Sequence, residues 1–396
     1  MGAEFDVRLG KMLDAARNVG EPKPYLGNRS VQWGQIDVND PGMVPLTRAE
    51  QLALRLRSGD LLVCEGGEVG RAAIWRDELP ECYYQKALHR LRPRNGYSPE
   101  LMAAYLRFWS DRGALADYVT QTSIAHLPRE KLVTVPLPRP PAIEQRAITA
   151  ALSDVDALLT KLDQLIAKKR DLKQAAMQQL LNGRTRLPGH SGQWRSTSIG
   201  AFADVIRGVA YRGDSDLYPY AHPSAVVLLR ANNVRDASIN LDEVQFVDEA
   251  CVADVQLLRL NDILICMANG SRQLVGKAAR LVKSPVERLT FGAFMGCLRV
   301  RRAEADVRFV AQLLQALRYR NYVANLLAGS SINNLRPGDV AAMEFDMPPL
   351  AEQQAIADAL ADMDTELAAL EARREKTRQI KRGMMQALLT GRIRLV

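Results

Sequence analysis

An internal repeat constrains the fold of this chain more than any other feature. Pro140-Pro141-Ala142-Ile143-Glu144-Gln145 aligns with Pro348-Pro349-Leu350-Ala351-Glu352-Gln353, an offset of 352 − 144 = 208 positions. Without a gap, residues 144–187 and 352–395 share 21 identities in 44 positions. Unrelated sequences of ordinary composition would agree at roughly one position in fifteen, so chance does not explain the match. The repeat therefore sets the plan of the whole chain.

The similarity reaches into the sequence before each repeated segment. At the same offset, Thr122-Ser123-Ile124 aligns with Ser330-Ser331-Ile332. Further upstream the register drifts, yet Gly59-Asp60-Leu61-Leu62-Val63-Cys64 resembles Asn261-Asp262-Ile263-Leu264-Ile265-Cys266. At the start of each copy, Leu9-Gly10 is aligned with Ile199-Gly200. We therefore predict two globular copies that share a frame and differ in their loops.

Each repeated segment is predicted to be one long helix. The Pro-Pro pairs are tolerated only before a helix or in its first turn, and Gly183 and Gly391 end the two runs. About 40 residues at about 1.5 Å each give a length of about 60 Å. Apolar residues recur at alternating spacings of three and four, at Leu152, Val155, Leu159, Leu162 and Ile166, and at Ile356, Leu360, Met363, Leu367 and Leu370. This pattern predicts that the two helices pair as an antiparallel coiled coil.

The globular copies are predicted to be α+β. Short apolar runs predict strands at residues 60–64, 88–91, 226–229, 262–267 and 296–300, and longer periodic runs predict helices at 100–118 and 307–327. The expected domains are 1–139, a central helix at 140–187, a second globular domain at 188–346, and a C-terminal helix at 347–396.

Composition excludes several classes of protein. The first ten residues lack the apolar run of a secretory signal, and nothing resembles a membrane span. The five cysteines are scattered, which argues against a disulfide framework or a zinc cluster, so a reducing cytoplasm is expected. The net charge of +8 is compatible with phosphate contacts.

Near-motifs for catalysis fail on inspection. The stretch from Gly270 to Lys277 has five residues between its glycines, where a phosphate-binding P-loop has four, and Ala278 stands where the Mg²⁺-binding hydroxyl belongs. Met347-Pro348-Pro349-Leu350 lacks the polar and aromatic ends of the loop with which amino-group DNA methyltransferases grip a flipped base. The four histidines are isolated from the cysteines and from one another. We therefore expect no catalytic site, metal or cofactor in this chain.

Polar loop residues beside predicted strands are the candidates for reading DNA. Arginine pairs with guanine, and asparagine or glutamine with adenine, through two hydrogen bonds in the major groove. The first copy offers Asn28, Arg29, Ser30, Gln32, Arg71, Thr122 and Ser123. The second offers Arg230, Asn232, Asn233, Arg235, Asn269, Ser271, Arg272, Gln273, Lys277, Ser331, Asn333 and Asn334. The segment 28–32 corresponds loosely to 230–235.

The whole pattern resembles the specificity subunits of type I restriction-modification systems. The resemblance is carried by the twice-occurring Pro-Pro-x-x-Glu-Gln-x-x-Ile, at 140–148 and 348–356. It is also carried by the two helix tails, at 177–184 and 385–392. It covers essentially the full length and implies two target recognition domains, each reading one half of a split, asymmetric double-stranded DNA site. Replacing Arg29 or Asn233 by alanine is then expected to change selectivity in one half-site only.

The resemblance also implies partners. Two modification subunits, which would carry S-adenosylmethionine and methylate adenine N6, are expected to bind the helices, and restriction subunits join where a system has them. The candidate partner-binding residues are Glu144, Gln145, Ile148, Arg170, Lys173, Glu352, Gln353, Ile356, Arg378 and Lys381. Two alternatives are a standalone, divergent DNA methyltransferase or nuclease, and a coiled-coil adaptor whose globular ends bind proteins.

Overall fold

The computed structural model describes residues 1–14, 16–121, 125–213, 215–283, 287–328 and 333–395. The chain divides into two compact units. Unit 1 consists of Met1–Asp163 with Ala372–Val396, and unit 2 of Gln164–Glu371. The division falls inside both long helices, so each unit contains one globular part, the first part of one helix and the last part of the other. These units differ from the four consecutive segments predicted from the sequence, and that finer division stays a prediction.

Unit 1 is a mixture of strands and helices. Its strands are β1 (Phe5–Leu9), β2 (Glu21–Leu26), β3 (Val31–Gln32), β4 (Gln35–Ile36), β5 (Gly42–Leu46), β6 (Leu61–Cys64), β7 (Ala72–Ile74), β8 (Tyr83–Tyr84), β9 (Leu88–Pro93), β10 (Thr120–Gln121) and β11 (Ala125–His126). Its helices are α1 (Arg48–Leu54), α2 (Pro99–Ser110), α3 (Arg129–Leu132) and the first part of α4 (Ala142–Leu180).

Unit 2 repeats most of this element order. Its strands are β12 (Arg195–Ser198), β13 (Ala203–Arg207), β14 (Leu217–Tyr218), β15 (Ala225–Leu229), β16 (Val234–Arg235), β17 (Ser238–Ile239), β18 (Gln245–Asp248), β19 (Ile263–Cys266), β20 (Ala278–Arg280), β21 (Leu289–Phe291), β22 (Met295–Val300) and β23 (Glu344–Met347). Its helices are α5 (Ile199–Phe202), α6 (Val307–Leu313), α7 (Leu317–Ala328), α8 (Pro337–Ala341) and the first part of α9 (Leu350–Leu389).

The central sheets of the two units have the same strand order. The order is β1-β9-β6-β7 in unit 1 and β13-β22-β19-β20 in unit 2. In β6 and β19 alternate residues join different apolar clusters, so both faces of each strand are covered. This explains why the sequence at these strands is a continuous apolar run. The α+β prediction is confirmed, and the predicted strands coincide with observed ones.

Buried ion pairs fix the start of the central strand in each unit. Asp60 accepts hydrogen bonds from Nε and Nη2 of Arg92 at 2.7 and 2.6 Å. Asp262 accepts the equivalent bonds from Arg299 at 3.0 and 2.6 Å. Each carboxylate also accepts a backbone N–H from the residue three positions earlier, at 2.8 Å. The preceding residue has a positive φ in both copies, 85° at Gly59 and 77° at Asn261, so the turn is duplicated too.

Three sequence-based details need correction. The helix expected at 100–118 ends at Ser110, and the one expected at 307–327 is interrupted between Leu313 and Leu317. The alignment of Leu9-Gly10 with Ile199-Gly200 was wrong, because Gly2 is the structural counterpart of Gly200. A Cβ at Gly2 would lie 3.1 Å from Val133 Cβ, and one at Gly200 would lie 3.3 Å from Ala341 Cβ, where 341 − 133 = 208.

The long helices pack antiparallel within each unit. In unit 1, Asp163 lies 3.1 Å from Arg374, and Asp156 lies 2.5 Å from Lys381. Residue numbers therefore decrease along α4 as they increase along α9, which defines an antiparallel pair. In unit 2, Lys169 lies 2.6 Å from Glu366, and Lys173 pairs with Asp364. The predicted apolar stripes are buried or half-buried along both helices. Coiled-coil packing in the strict sense stays a prediction.

Candidate nucleic-acid interface

Two of the predicted DNA-reading segments of unit 1, residues 28–32 and the loop with Arg71, are held together on one surface. Asn28 donates from Nδ2 to the carbonyl of Gly66 at 3.1 Å, and Arg71 donates from Nη2 to the carbonyl of Asn28 at 2.8 Å. The hairpin β3–β4 joins them, because the N–H of Gly34 donates to the carbonyl of Ala72 at 3.0 Å. These hydrogen bonds join residues 27–36 to residues 65–72 in one surface, whose exposed side chains are Arg29, Gln32, Gln35 and Glu68.

The segment 125–127 extends this surface. Leu127 donates its N–H to the carbonyl of Glu65 at 2.7 Å, and a β-bridge joins Gly66 to His126. Beneath it, Nε2 of the buried His89 lies 2.7 Å from the carbonyl oxygen of Leu127. Burial lowers the pKa of His89, so a neutral ring donates this bond. Thr122 and Ser123, predicted in the same segment, lie outside the described residues.

The second copy joins its loop 268–277 to the segment 333–334 in the same way. Asn269 donates its N–H to the carbonyl of Asn333 at 3.3 Å, and Nδ2 of Asn333 donates to the carbonyl of Gly270 at 3.2 Å. A β-bridge joins Ala268 to Asn334. Ser271, Arg272, Gln273 and Asn334 are exposed, and Lys277 is partly exposed. Ser331, predicted beside Asn333, lies outside the described residues.

The candidate hairpins of the two units follow the same turn. In unit 1 the hydroxyl of Ser30 accepts the N–H of Gly27 at 3.3 Å, and in unit 2 Oδ1 of Asn233 accepts the N–H of Arg230 at 2.8 Å. Ser30 and Asn233 are therefore equivalent residues. In this register Asn28 corresponds to Ala231 and Gln32 to Arg235, which agrees with the loose correspondence of segments 28–32 and 230–235 expected from the sequence.

Several predicted base-reading residues instead hold the loops in place. Asn233 is only 2% exposed, and its Nδ2 donates to the carbonyls of Asn240 and Glu243 at 2.9 and 3.0 Å. Since the buried amide is fully bonded, it does not present itself to a ligand, and the single-half-site selectivity predicted for Asn233 is replaced by a positioning role. Arg71 donates to the carbonyl of Asn28 in the neighbouring loop, and the hydroxyl of Ser30 accepts the N–H of Gly27 within its own loop. The exposed members are Arg29, Gln32 and Arg235, with Asn232 and Arg230 partly exposed.

Six of the predicted partner-binding residues are buried within their own unit. Gln145 accepts the N–H of Ser98 at 2.9 Å and donates to the carbonyl of Pro140, and Gln353 makes the same two contacts with Asp306 and Pro348. The six, each at most 5% exposed, are Glu144, Gln145, Ile148, Glu352, Gln353 and Ile356. The structure contradicts a partner contact here, because each motif joins the start of a helix to its own globular part.

The arginines that close these motifs were missed from the sequence. Nε and Nη2 of Arg186 donate to Glu352 at 2.5 and 2.6 Å, and Arg394 donates to Glu144 in the same manner. A signal was present, since Arg186 and Arg394 are themselves repeat partners at 394 − 186 = 208. Hydrogen bonding to Arg394 lowers the pKa of Glu144, so this carboxylate is ionised in the folded chain.

The other four predicted partner-binding residues border a cleft in each unit. In unit 2, Arg170 and Lys173 line a cleft of about 890 Å³ between the long-helix pair and α7, and its lining residues also include Arg184 and Arg318 but no carboxylate. In unit 1, Arg378 and Lys381 line a cleft of about 1120 Å³ beside α2. At the offset of 208, Arg170 matches Arg378 and Lys173 matches Lys381. The two clefts are therefore equivalent surfaces. In unit 2, Arg170 pairs with Glu371, Lys173 with Asp364, and Arg318 with Asp346.

Comparison with known families gives a match for part of the chain. Residues 261–382 match the family described as the type I restriction modification DNA specificity domain. Residues 261–382 are therefore similar to a type I DNA specificity domain. The matched stretch includes the loop 268–277, the segment 333–334 and most of α9, which the structure places in or beside the candidate surfaces of unit 2. The resemblance predicted from the sequence is confirmed.

Two relatives with similar sequences are specificity subunits of type I restriction enzymes. The chain is 32% identical over 200 residues to the type I restriction enzyme EcoKI specificity subunit of Escherichia coli (strain K12), covering 50% of this chain and 42% of that protein. It is 31% identical over 200 residues to the StySPI specificity subunit of Salmonella potsdam, with the same coverage of 50% and 42%. The chain thus matches less than half the length of these curated relatives.

A solved structure shows the fold over almost the whole chain. The S subunit of a type I restriction-modification system from M. genitalium superposes with a TM-score of 0.56 at 15% identity, covering 98% of this chain and 94% of that one. This similarity of fold therefore extends beyond the matched residues 261–382 to both units.

None of the helices in the described part of the chain has the length and apolar character that crossing a membrane requires.

Proposed function

We propose that this chain is a sequence-specific DNA-binding subunit that reads a split, asymmetric site and directs adenine N6 methylation by separate modification subunits. One observation carries the proposal. Each unit places a polar surface, built from the same turn, hairpin and loop, on an equivalent sheet, while the exposed side chains differ between the copies. A shared frame with different side chains suits the reading of two different half-sites.

The paired helices are proposed to fix the distance between the half-sites. Half-sites read from one face of a duplex lie about one helical turn apart, near 34 Å. A continuous helix of 39 residues, as in α4, is about 58 Å long and can span that distance. The spacer length of the DNA site would then follow from helix length.

We propose that the partner subunits, and not this chain, carry out the catalysis. Across the described residues, His, Cys, Asp and Glu form no group of three that could hold a metal ion. S-adenosylmethionine would be bound by the modification subunits, one docked at each cleft, and restriction subunits would add cleavage where the system encodes them. The two relatives above are named as specificity subunits of type I restriction enzymes, which supports this division of labour.

Mapping of N6-methyladenine at single-base resolution, in the native host with and without this gene, tests the proposal. We expect one split motif to lose methylation on both strands when the gene is deleted. An unchanged methylation map, together with failure of the chain and its modification subunit to bind duplex DNA, would contradict it and favour the protein adaptor. Methyl transfer by the purified chain alone would establish the standalone enzyme instead.

A further inference from the structure

The hairpins β3–β4 and β16–β17 are equivalent residue by residue. Val31 pairs with Ile36 and Gln32 with Gln35, while Val234 pairs with Ile239 and Arg235 with Ser238. One backbone hydrogen bond closes each loop. The N–H of Asp37 donates to the carbonyl of Ser30, and the N–H of Asn240 donates to the carbonyl of Asn233, both at 2.8 Å. Position 32 of unit 1 therefore corresponds to position 235 of unit 2.

The hairpins point one side chain of each strand away from the protein. Val31 and Val234 are buried beneath their hairpins, whereas Gln32 and Arg235 are exposed, as the alternation of a strand requires. Asp236 and Ala237, between the strands of the second hairpin, have φ values of 49° and 58°, the signature of a tight two-residue turn. A two-stranded ribbon of this width fits the major groove of B-form DNA.

The exposed side chains are held by the same hydrogen bond. Nε2 of Gln32 donates to the carbonyl of Arg29 at 2.8 Å, and Nε of Arg235 donates to the carbonyl of Asn232 at 2.9 Å. In both units the acceptor lies three residues before the donor. Each side chain is thus oriented before any ligand arrives, which reduces the rotamer entropy lost when it binds.

The donor and acceptor atoms that these backbone hydrogen bonds leave free differ between Gln32 and Arg235. Arg235 keeps both terminal amino groups, and in the described part of the chain neither has a protein acceptor. Gln32 keeps Oε1 as an acceptor and the second hydrogen of Nε2 as a donor. Two parallel donors match O6 and N7 of guanine, and one acceptor beside one donor matches N6 and N7 of adenine.

We infer that Gln32 and Arg235 are equivalent specificity-determining residues, of which Gln32 selects adenine in one half-site and Arg235 selects guanine in the other. The inference rests on the proposed DNA-reading function. It assigns base identity to two of the exposed candidates and separates them from Ser30 and Asn233, which position the turn.

Reciprocal exchange tests the assignment. The chain is co-expressed with its modification subunit in a host that lacks adenine methylation, as wild type, Gln32→Arg or Arg235→Gln, and the methylated motif is mapped at single-base resolution. We expect Gln32→Arg to change one A·T pair to G·C in one half-site, and Arg235→Gln to change one G·C pair to A·T in the other. Methylation of the original site should fall about tenfold to a hundredfold in each variant.

Two further variants keep the result interpretable. Ser58→Arg adds the same charge at an exposed position of unit 1 that lies outside residues 27–36 and 65–72, and should leave the recognised bases unchanged. If an exchanged variant fails to fold in a thermal melt, Gln32→Ala or Arg235→Ala replaces it and should relax selectivity at that one base pair.

The outcomes of the exchange test distinguish a failure of this base assignment from a failure of the proposed DNA-reading function. A wild-type chain that directs no motif overturns both. A wild-type motif that survives both exchanges, or that changes in the same half-site for both, overturns the base assignment and leaves the DNA-reading function standing.

Discussion

Glu144 accepts two hydrogen bonds from the guanidinium of Arg394, from Nε at 2.5 Å and from Nη2 at 2.6 Å. The equivalent pair, Glu352 with Arg186, lies in the other unit at the same distances. In each unit the acidic residue begins one long helix, and the arginine follows the end of the other. The duplication has therefore preserved a contact as well as a sequence, and this contact joins the two helices.

The Glu144–Arg394 pair should make stability depend on acid pH. Because Arg394 lowers the pKa of Glu144 in the folded state, the unfolded state binds the proton more readily. The stabilisation that the Glu144–Arg394 pair gives to the folded state is complete above the ordinary glutamate pKa, and it is lost as the pH falls through the lowered pKa of Glu144. We expect the wild-type melting temperature to fall between about pH 5 and pH 3.

Arg394→Met should melt lower at neutral pH and show a smaller drop across this window, as measured by thermal melts in a pH series. Arg392→Met, at an exposed position two residues away, serves as the control. A pH profile of Arg394→Met identical to that of the wild type would show that the pair does not contribute.

Asp262→Ala should destabilise unit 2 by about 3 kcal/mol, because it leaves the charge of Arg299 partly buried without its partner. Chemical denaturation followed by circular dichroism measures the change. Asp254→Ala removes an exposed carboxylate and should stay within about 0.5 kcal/mol of the wild type. Equal effects of the two substitutions would argue against the buried pair.

Ile148→Ala should cost about 2 to 5 kcal/mol, since Ile148 is 1% exposed and packs in the core of unit 1. Ile143, on the same helix, is 67% exposed, so Ile143→Ala should change stability little. Denaturant unfolding of both variants checks this. If Ile148→Ala kept full stability and lost only the modification subunit in pull-down, the partner contact predicted from the sequence would be restored.

Asn233→Ala should cost about 1 to 3 kcal/mol and weaken DNA binding for every sequence, because it removes the hydrogen bonds that hold the loop. Asn232→Ala, at the neighbouring and partly exposed position, should leave stability almost unchanged. Thermal melts combined with gel-shift titration of cognate and altered duplexes distinguish the two. A loss confined to one base pair would return Asn233 to the base-reading set.

Arg184→Glu should weaken capture of the modification subunit several-fold, because it replaces an exposed cation that lines the unit 2 cleft by an anion. Binding is measured by surface plasmon resonance at two salt concentrations. Arg302→Glu makes the same change at an exposed position outside the cleft and should bind normally. Equal loss in both variants would indicate a general charge effect rather than docking at the cleft.

Patterns repeated along the chain were predictable from the sequence. The helix starts at Ala142 and Leu350 follow from the Pro-Pro pairs, and the buried strand at 61–64 follows from its unbroken apolar run. Both depend on local backbone preference and burial, which a window of a few residues records. The interruption between α6 and α7 was missed, because periodicity continues across it.

The roles of individual polar residues were less predictable. Gln145 and Gln353 were predicted on a partner surface, yet each bonds to a backbone N–H that lies 47 residues earlier in the sequence. Asn233 and Arg235 look alike as loop residues, but one is buried and the other exposed. Sequence spacing cannot distinguish these cases, because burial depends on strands and loops that are distant in the chain.

The sequence by itself determined the duplication, the two long helices, the α+β class and the resemblance to type I specificity subunits. The tertiary structure decided which residues of each motif face inward, which arginine closes each helix start, and which hairpin positions are equivalent. The physical reason is that repeats and periodicity are properties of the chain order, whereas hydrogen-bond partners such as Glu144 and Arg394 are 250 residues apart and meet only in the folded chain.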